Sequence, residues 1–323
     1  MITLQWVYVL AGLVFAAFAV LSARDAGNPK RWRNAAFWGL LAVSFLGGDL
    51  LGDLGNGLLV LALVAIAGFG GLGLGKPATT TPEERKAGSA RLGNRLFLCA
   101  LVIPLVTLFG ALVLKEVEFG GAPLLETKQA TLISLALGVL AALAVTGLLT
   151  RPPVLAPLQE GRRLIDTVGW AAILPQMLAS LGAVFALAGV GEVVGALAAD
   201  YLPLGSRLAA VIAYCLGMAL FTFIMGNAFA AFPVMTAAIG LPIVVGDFGG
   251  DPAVVCAIGM LAGFCGTLTT PMAANFNVVP ANLLELPDRN SAFNGVIRAQ
   301  LPTAGLVLLA NIVLMYLLAF GRG

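Results

Sequence analysis

Residues 208–240 read LAAVIAYCLGMALFTFIMGNAFAAFPVMTAAIG, and this stretch decides the fold class. It carries no charged residue and is longer than the about 20 apolar residues that cross a bilayer as one helix. Gly226, Asn227 and Ala228 lie at its centre, where an unpaired amide would be costly in lipid. The stretch predicts a membrane helix broken near its middle, whose free backbone groups bind a carboxylate and a cation. A packing notch between helices explains Gly226 and Asn227 equally well.

A second polar break is predicted inside the apolar residues 252–283. Its core, GTLTTPMAANFN at 266–277, combines three threonines, two asparagines and a proline. Threonine hydroxyls both donate and accept hydrogen bonds, and proline interrupts a helix. The predicted ligands of a substrate or ion are Gly266, Thr267, Thr269, Thr270, Pro271, Asn275 and Asn277. The competing interpretation is that the threonine hydroxyls bond to carbonyls of their own helix.

Residues 165–202 combine apolar segments with a small-residue turn, GVG, at 189–191. Helix, glycine turn and helix predict a re-entrant hairpin, with Gln176 and Ser180 as further polar candidates in its first arm. Glu192 is either a carboxylate that binds a proton or cation, or a solvated interfacial residue. Asp166, which follows a basic loop, is expected to be solvated.

The composition places the whole chain in the membrane. Of its 323 residues 60 % are apolar and only 11 % are charged, against roughly 25 % charged in soluble domains. Its 40 glycines allow close helix packing in lipid. We therefore predict an all-α polytopic transmembrane helix bundle with a re-entrant hairpin and broken helices.

Several classes of function are excluded or disfavoured. There is no histidine, which excludes histidine metal sites and histidine bases. The four cysteines show no ligand spacing, and no nucleotide-binding motif is present. We expect no catalytic activity, no resident cofactor and no nucleic-acid partner. An intramembrane enzyme would need Glu192, Asp49 or Asp53 as its base. Asp49 and Asp53 more simply mark a watery turn between two helices.

Two membrane halves are predicted. Residues 1–163 form a five-helix scaffold, and residues 164–323 form a substrate-binding half with the hairpin, two broken helices and a last span. The N-terminal apolar run lacks the basic start of a signal peptide, so it is the first span. The predicted spans of the first half are 3–21, 35–47, 56–70, 96–114 and 129–149.

The basic residues predict the orientation. The loops 22–34, 71–95 and 150–163 carry twelve of the eighteen lysines and arginines, while the loops between them carry few. Basic loops stay in the cytoplasm. We therefore expect a multi-pass protein of a bacterial inner membrane with its N-terminus outside.

The three polar segments resemble an uncharacterised bacterial multi-pass membrane family, a domain of unknown function. The runs ILPQMLASLGAVFALAGVG, FIMGNAFAAFPVMTAAIG and GFCGTLTTPMAANFNVVPANLLEL carry this resemblance. More distantly, their order is similar to the ion transporter superfamily of dicarboxylate, citrate, gluconate and arsenite carriers. Those carriers bind substrate and Na⁺, or move protons, at hairpin tips and helix breaks. The N-terminal half has no comparable tip.

The family resemblance also implies a gene neighbourhood with a pyroglutamyl peptidase and a second small membrane protein. It thereby implies a second membrane subunit and 5-oxoproline as substrate. We expect a secondary transporter, or one subunit of a two-component transporter, that moves a small carboxylate with Na⁺ or H⁺, alone, as a homodimer or with that subunit. The alternatives are a non-transporting scaffold subunit and, less favoured, an intramembrane enzyme.

Overall fold

A computed structural model describes the chain except for residues 78, 203, 285–291 and 321–323, and except for the side chains of residues 175, 179, 274, 275, 282 and 292. The described residues include nine helical stretches that are long and apolar enough to cross a membrane. This confirms the predicted all-α membrane helix bundle. The chain divides into two compact units, Met1–Gly169 and Trp170–Gly323. The predicted boundary at 163/164 lies slightly before this division.

The first unit is helical apart from one short β-hairpin. Its elements are α1 (Leu4–Arg24), α2 (Arg31–Gly68), α3 (Pro82–Leu92), α4 (Arg95–Leu112), a 3-10 turn (Leu114–Glu116), β1 (Glu118–Phe119), β2 (Ala122–Pro123), a second 3-10 turn (Thr127–Gln129), α5 (Ala130–Thr150) and α6 (Ala156–Val168). β1 and β2 pair antiparallel.

Helix α2 is two antiparallel helices joined at Gly52, whose φ of 62° and ψ of −176° are not helical. The reversal brings the two ends of α2 together, since Lys30 Nζ donates to the carbonyl of Gly70 at 2.6 Å. The Asn56 amide donates to the carbonyls of Gly48 and Gly52 and so closes the turn. The spans predicted at 35–47 and 56–70 are these two arms. Asp49 and Asp53, on either side of Gly52, are exposed at this turn.

The loops of the first unit collect at its two ends. At one end, the N–H of Ile2 donates to Leu124 O at 2.8 Å, next to the loop 115–128. At the other end, the carboxylate of Asp25 accepts hydrogen bonds from the N–H of Lys76 at 2.7 Å and from Arg162 at 2.8 Å. The three basic loops therefore share one end of this unit, as their sequence predicted. That this end faces the cytoplasm stays a prediction.

In the part of the second unit that the structure describes, the elements are all helical. After a 3-10 turn (Gly169–Ile173) come α7 (Leu174–Leu187), α8 (Val190–Tyr201), α9 (Arg207–Met225), α10 (Ala228–Met235), a π-helix (Thr236–Asp247), α11 (Pro252–Thr269), a second π-helix (Ala274–Val278), α12 (Val279–Leu283) and α13 (Ala292–Leu318).

The chain reverses at Gly226 and Asn227, and the prediction of one broken helix over 208–240 is wrong. Tyr214 in α9 hydrogen-bonds Thr236 through their hydroxyls at 2.9 Å, although the two residues lie on opposite sides of the break. This contact requires α9 and α10 to run antiparallel. Helix α9 has 19 residues and is about 28 Å long, so the break lies at its end rather than at mid-helix.

A row of glycines on α11 brings α11 against α9. Gly259 lies against the ring of Tyr214, Gly263 against Met218, and Gly266 against the backbone carbonyl of Ala219. These glycines are spaced by four and three residues, so they share one face of α11. A side chain on this face would separate the two helices, which is the small-residue packing typical of membrane helices. The order of these contacts makes α9 and α11 parallel.

Helices α7 and α8 have the predicted order of helix, glycine turn and helix. Gly189, with φ of 68°, forms the turn. Each arm packs more extensively on the segment that starts at α10 than on the other arm. Gly182 lies against Phe229 and Pro233, and Gly191 lies against Val234 and Ala237. The arms are therefore fixed by this neighbouring segment more than by each other.

Candidate functional site

Two predicted polar segments meet at one end of the second unit. One is the turn Gly226–Asn227 between α9 and α10, and the other is the turn 270–273 that follows α11. A Cβ on Gly226 would lie 2.7 Å from the Cβ and the carbonyl oxygen of Met272. Behind the turns, Ala228 lies against Gly263 of α11. We call these two turns, with Asn277, the paired tips.

Asn227 caps α10. Its Oδ1 accepts a hydrogen bond from the N–H of Phe229 at 2.7 Å, and the residue is buried. This bond satisfies one of the free N–H groups at the start of the helix. Gly226 adopts the left-handed conformation that ends α9, with φ of 77°. The end of one helix and the start of the next therefore lie within two residues of each other.

Asn277 closes the other tip. Its Nδ2 donates to the carbonyls of Thr267 at 3.0 Å and Thr270 at 2.7 Å, which are free carbonyls at the end of α11. The side chain is fully buried, and its Oδ1 has no hydrogen-bond partner among the described residues. Asn275, another predicted ligand, has a side chain outside the described residues.

The threonine hydroxyls of this segment bond locally. Thr267 Oγ1 donates to Phe264 O at 2.6 Å, and Thr269 Oγ1 donates to Gly266 O at 2.9 Å. Thr270 Oγ1 accepts from the N–H of Met272 at 3.2 Å. For Thr267 and Thr269 the alternative interpretation, bonding within their own helix, therefore describes the structure. Pro271 follows Thr270 in the exposed part of the turn.

Two polar side chains that were not predicted as ligands lie beside the paired tips. Thr222, one turn before Gly226, is fully buried, and its Oγ1 has no partner among the described residues. Gln300 in α13 donates through Nε2 to Phe276 O at 3.3 Å, while its buried Oε1 likewise has no described partner. Polar residues inside an apolar helix are the pattern that marks such positions. Thr222 fits that pattern, whereas Gln300 lies two residues after Arg298, near the polar start of α13.

Gln176, Ser180 and Glu192 are not brought into the paired tips by any described contact. Gln176 and Ser180 are exposed, and Ser180 Oγ bonds to the carbonyl of Gln176 at 3.0 Å. Glu192 is exposed in the first turn of α8, where an acid complements the helix dipole. Its neighbour Gly191 packs on Ala237, which lies ten residues along the chain from Asn227.

The paired tips are uncharged and have an aromatic flank. Residues 208–246 and 252–284 contain no lysine, arginine, aspartate or glutamate. Phe264 contacts Phe229 with a ring-centroid distance of 6.0 Å and Phe276 with a distance of 5.8 Å. An anion at this site would be held by backbone N–H groups and uncharged side chains, and a cation by carbonyl and amide oxygens.

A charged cluster that the sequence analysis missed lies in the first unit. Arg162 and Asp166 are both buried on α6, so the prediction that Asp166 is solvated is wrong. Asp166 Oδ1 accepts from Asn34 at 3.1 Å and from Trp38 at 3.0 Å. Burial was missed because the polar face of α6 points into the unit, while Leu155 and Leu164 on this segment are exposed.

The guanidinium of Arg162 hydrogen-bonds to groups at the C-terminal end of α1. It donates to Leu21 O at 2.6 Å and to Asp25 Oδ2 at 2.8 Å. Burial acts to raise the pKa of Asp25, but the hydrogen bond from the Lys76 N–H and the charge of Arg162 outweigh it. The pKa of Asp25 is therefore lowered, and this carboxylate stays ionised beside Arg162.

No curated protein and no solved structure matches this chain. A family model does match it over residues 5–320, which is nearly its full length. The chain therefore belongs to the family described as protein of unknown function (DUF979).

Proposed function

We propose that this protein is a secondary active transporter, or one subunit of a two-component transporter, that moves a small carboxylate across a bacterial inner membrane with its N-terminus outside. The coupling ion in this proposal is Na⁺ or H⁺, and 5-oxoproline is the first substrate to test. The observation that carries the proposal is the pair of uncharged tips, where a capped helix start and two helix ends converge in an apolar unit.

The chemistry of the paired tips suits a carboxylate. Helix starts attract negative charge, and helix ends attract positive charge. The start of α10 follows directly on the end of α9, and Met272 of the second tip packs on Gly226. The buried Oδ1 of Asn277 and Oγ1 of Thr222 have no hydrogen-bond partner among the described residues and could accept one from a ligand. Because such a site carries no permanent charge, it can bind a charged solute and still release it.

Counterflow in proteoliposomes tests the proposal. Vesicles that contain the purified full chain and unlabelled 5-oxoproline should accumulate labelled 5-oxoproline, with parallel assays for other small carboxylates in Na⁺ or K⁺. Asn227→Ala should abolish exchange, whereas Asn294→Ala, which changes an exposed asparagine of α13, should not. Exchange at the wild-type rate in a folded Asn227→Ala variant would refute the site.

A non-transporting partner subunit is the second candidate. An apolar groove of about 670 Å³ runs between α9, α11 and α13, and its lining includes Ala213, Gly217, Gly266 and Gly305. Small residues let a helix of another chain approach closely. For this candidate, transport would require a second membrane protein. Transport by the complex would also be retained in Asn227→Ala, whereas the carrier proposal predicts its loss.

A further inference from the structure

One carboxylate oxygen of the first unit is buried without a charged hydrogen-bond donor among the described residues. Asp166 is 5 % exposed, and its Oδ2 has no partner among the described residues. The backbone N–H of Gly75 faces this carboxylate as a weak, neutral donor, and a Cβ on Gly75 would lie 2.6 Å from Oδ2. No cation hydrogen-bonds Oδ2 among the described residues. A buried carboxylate is costly unless it is paired with a cation or protonated.

Among the described residues, Arg162 is the buried cation that faces Asp166, and its hydrogen bonds go to other groups. Its Nη2 bonds to Asp25, whose Oδ2 would lie 3.1 Å from the same Cβ position on Gly75. Lys76, next to Gly75, is exposed to solvent, and three further basic groups near the cluster are engaged. Lys30 and Arg33 donate to the carbonyl of Gly70, and Arg163 donates to Glu160. With both aspartates ionised, the cluster would hold two negative charges and one positive charge.

We propose that Asp166 is a proton-binding residue, and that it holds a proton on Oδ2 in this conformation. The proton removes the excess negative charge and turns Oδ2 into an O–H donor beside Asp25. The proton comes from water and returns to water when the segment at Gly75 moves away. No bond other than O–H forms or breaks. A role for this proton in coupled transport rests on the proposed carrier function, whereas proton binding itself does not.

The neighbouring polar atoms support a proton path. Gln159, Arg162 and Asp166 are spaced by three and four residues, so they share the inward face of α6. Within the described part of the chain, Gln159 Oε1 and Arg162 Nε are buried without partners, as is Ser22 Oγ near the end of α1. Unpaired buried polar groups of this kind are the usual partners of internal water. In this proposal such water carries the proton to and from Asp166.

Infrared titration of the purified full chain tests the proposal. At pH 7 solvated carboxyl groups are ionised, so the wild type should retain one carboxylic-acid carbonyl band that Asp166→Asn removes. Asp53→Asn, which changes an exposed turn residue, should keep the band. In Asp25→Asn the guanidinium of Arg162 is free to pair with Asp166, and the band should vanish at lower pH than in the wild type.

Two outcomes would overturn the proposal: a wild-type spectrum without an acid band at pH 7, or a band that survives Asp166→Asn. In Asp166→Asn the side-chain oxygen can still accept hydrogen bonds from Asn34 and Trp38. The shift of the acid band in Asp25→Asn is a second readout that does not depend on Asp166→Asn. In proteoliposomes, Asp166→Asn should retain 5-oxoproline exchange and lose accumulation driven by a pH gradient. Absence of exchange in the wild type would refute the carrier function, but it would not affect the infrared test of proton binding by Asp166.

Discussion

Gly226 and Met272 lie 46 positions apart in the chain and are in direct contact just beyond the ends of α9 and α11. A Cβ on Gly226 would lie 2.7 Å from the Cβ and 2.8 Å from the carbonyl carbon of Met272. Glycine is required here for a second reason, since its φ of 77° is strained for residues with a side chain. The glycine at position 226 therefore allows the two turns of the candidate site to pack against each other.

Gly226→Ala should separate the paired tips. We expect a loss of about 1–3 kcal/mol in the free energy of unfolding, which is typical of overpacking, together with loss of counterflow. Thermal unfolding in detergent measures the first effect. Gly305→Ala is the matched control, because a Cβ on Gly305 meets nothing within 4 Å. Equal melting temperatures for the two variants would contradict the packing described here.

Asn227 should have separable roles in stability and transport. Asn227→Ala removes the bond to the N–H of Phe229 and should cost about 1 kcal/mol, the usual value of a helix cap. Asn227→Ser restores a capping oxygen and should recover the melting temperature. If the amide also contacts the solute, Asn227→Ser stays inactive in counterflow. Full activity of the serine variant would limit Asn227 to a capping role.

Asn277→Ala should be more harmful than Asn227→Ala. It leaves the carbonyls of Thr267 and Thr270 without their donor inside the unit, at a cost of about 1–3 kcal/mol for each buried group. Unfolding in detergent with Asn294→Ala as the exposed control measures this difference. A melting temperature equal to that of the control would show that these carbonyls find another donor.

The ion pair of Asp25 and Arg162 predicts loss of stability in acid. The pKa of Asp25 is lower in the folded chain than the about 3.9 expected for an unfolded chain. The stabilisation is therefore complete above about pH 4 and is lost as the pH falls through the folded pKa. Melting temperatures from pH 7 to pH 3 should fall more steeply for the wild type than for Asp25→Asn. Parallel curves would contradict this assignment.

Local features of the chain predicted the breaks correctly but not their geometry. Gly226 and Asn227 suit the end of one helix and the start of another, and Thr270 to Ala273 suit a turn before Asn277. These requirements involve only neighbouring residues. Whether the chain continues or reverses after a break depends on distant contacts, such as the hydrogen bond between Tyr214 and Thr236. A helix that continues and a helix that reverses share the same local pattern.

The sequence by itself determined that this is an all-α membrane protein, where most of its helices lie and which loops share the basic residues, because hydropathy and charge follow from composition along the chain. Only the tertiary structure decided that the tips meet and that Asp166 is buried. The polar face of α6 is visible in the sequence, but its direction is not. In a soluble protein such a face turns to water, whereas in this unit it turns inward to Asn34 and Trp38. The physical reason is that polar side chains are energetically costly in contact with lipid, so they are buried against one another inside the unit.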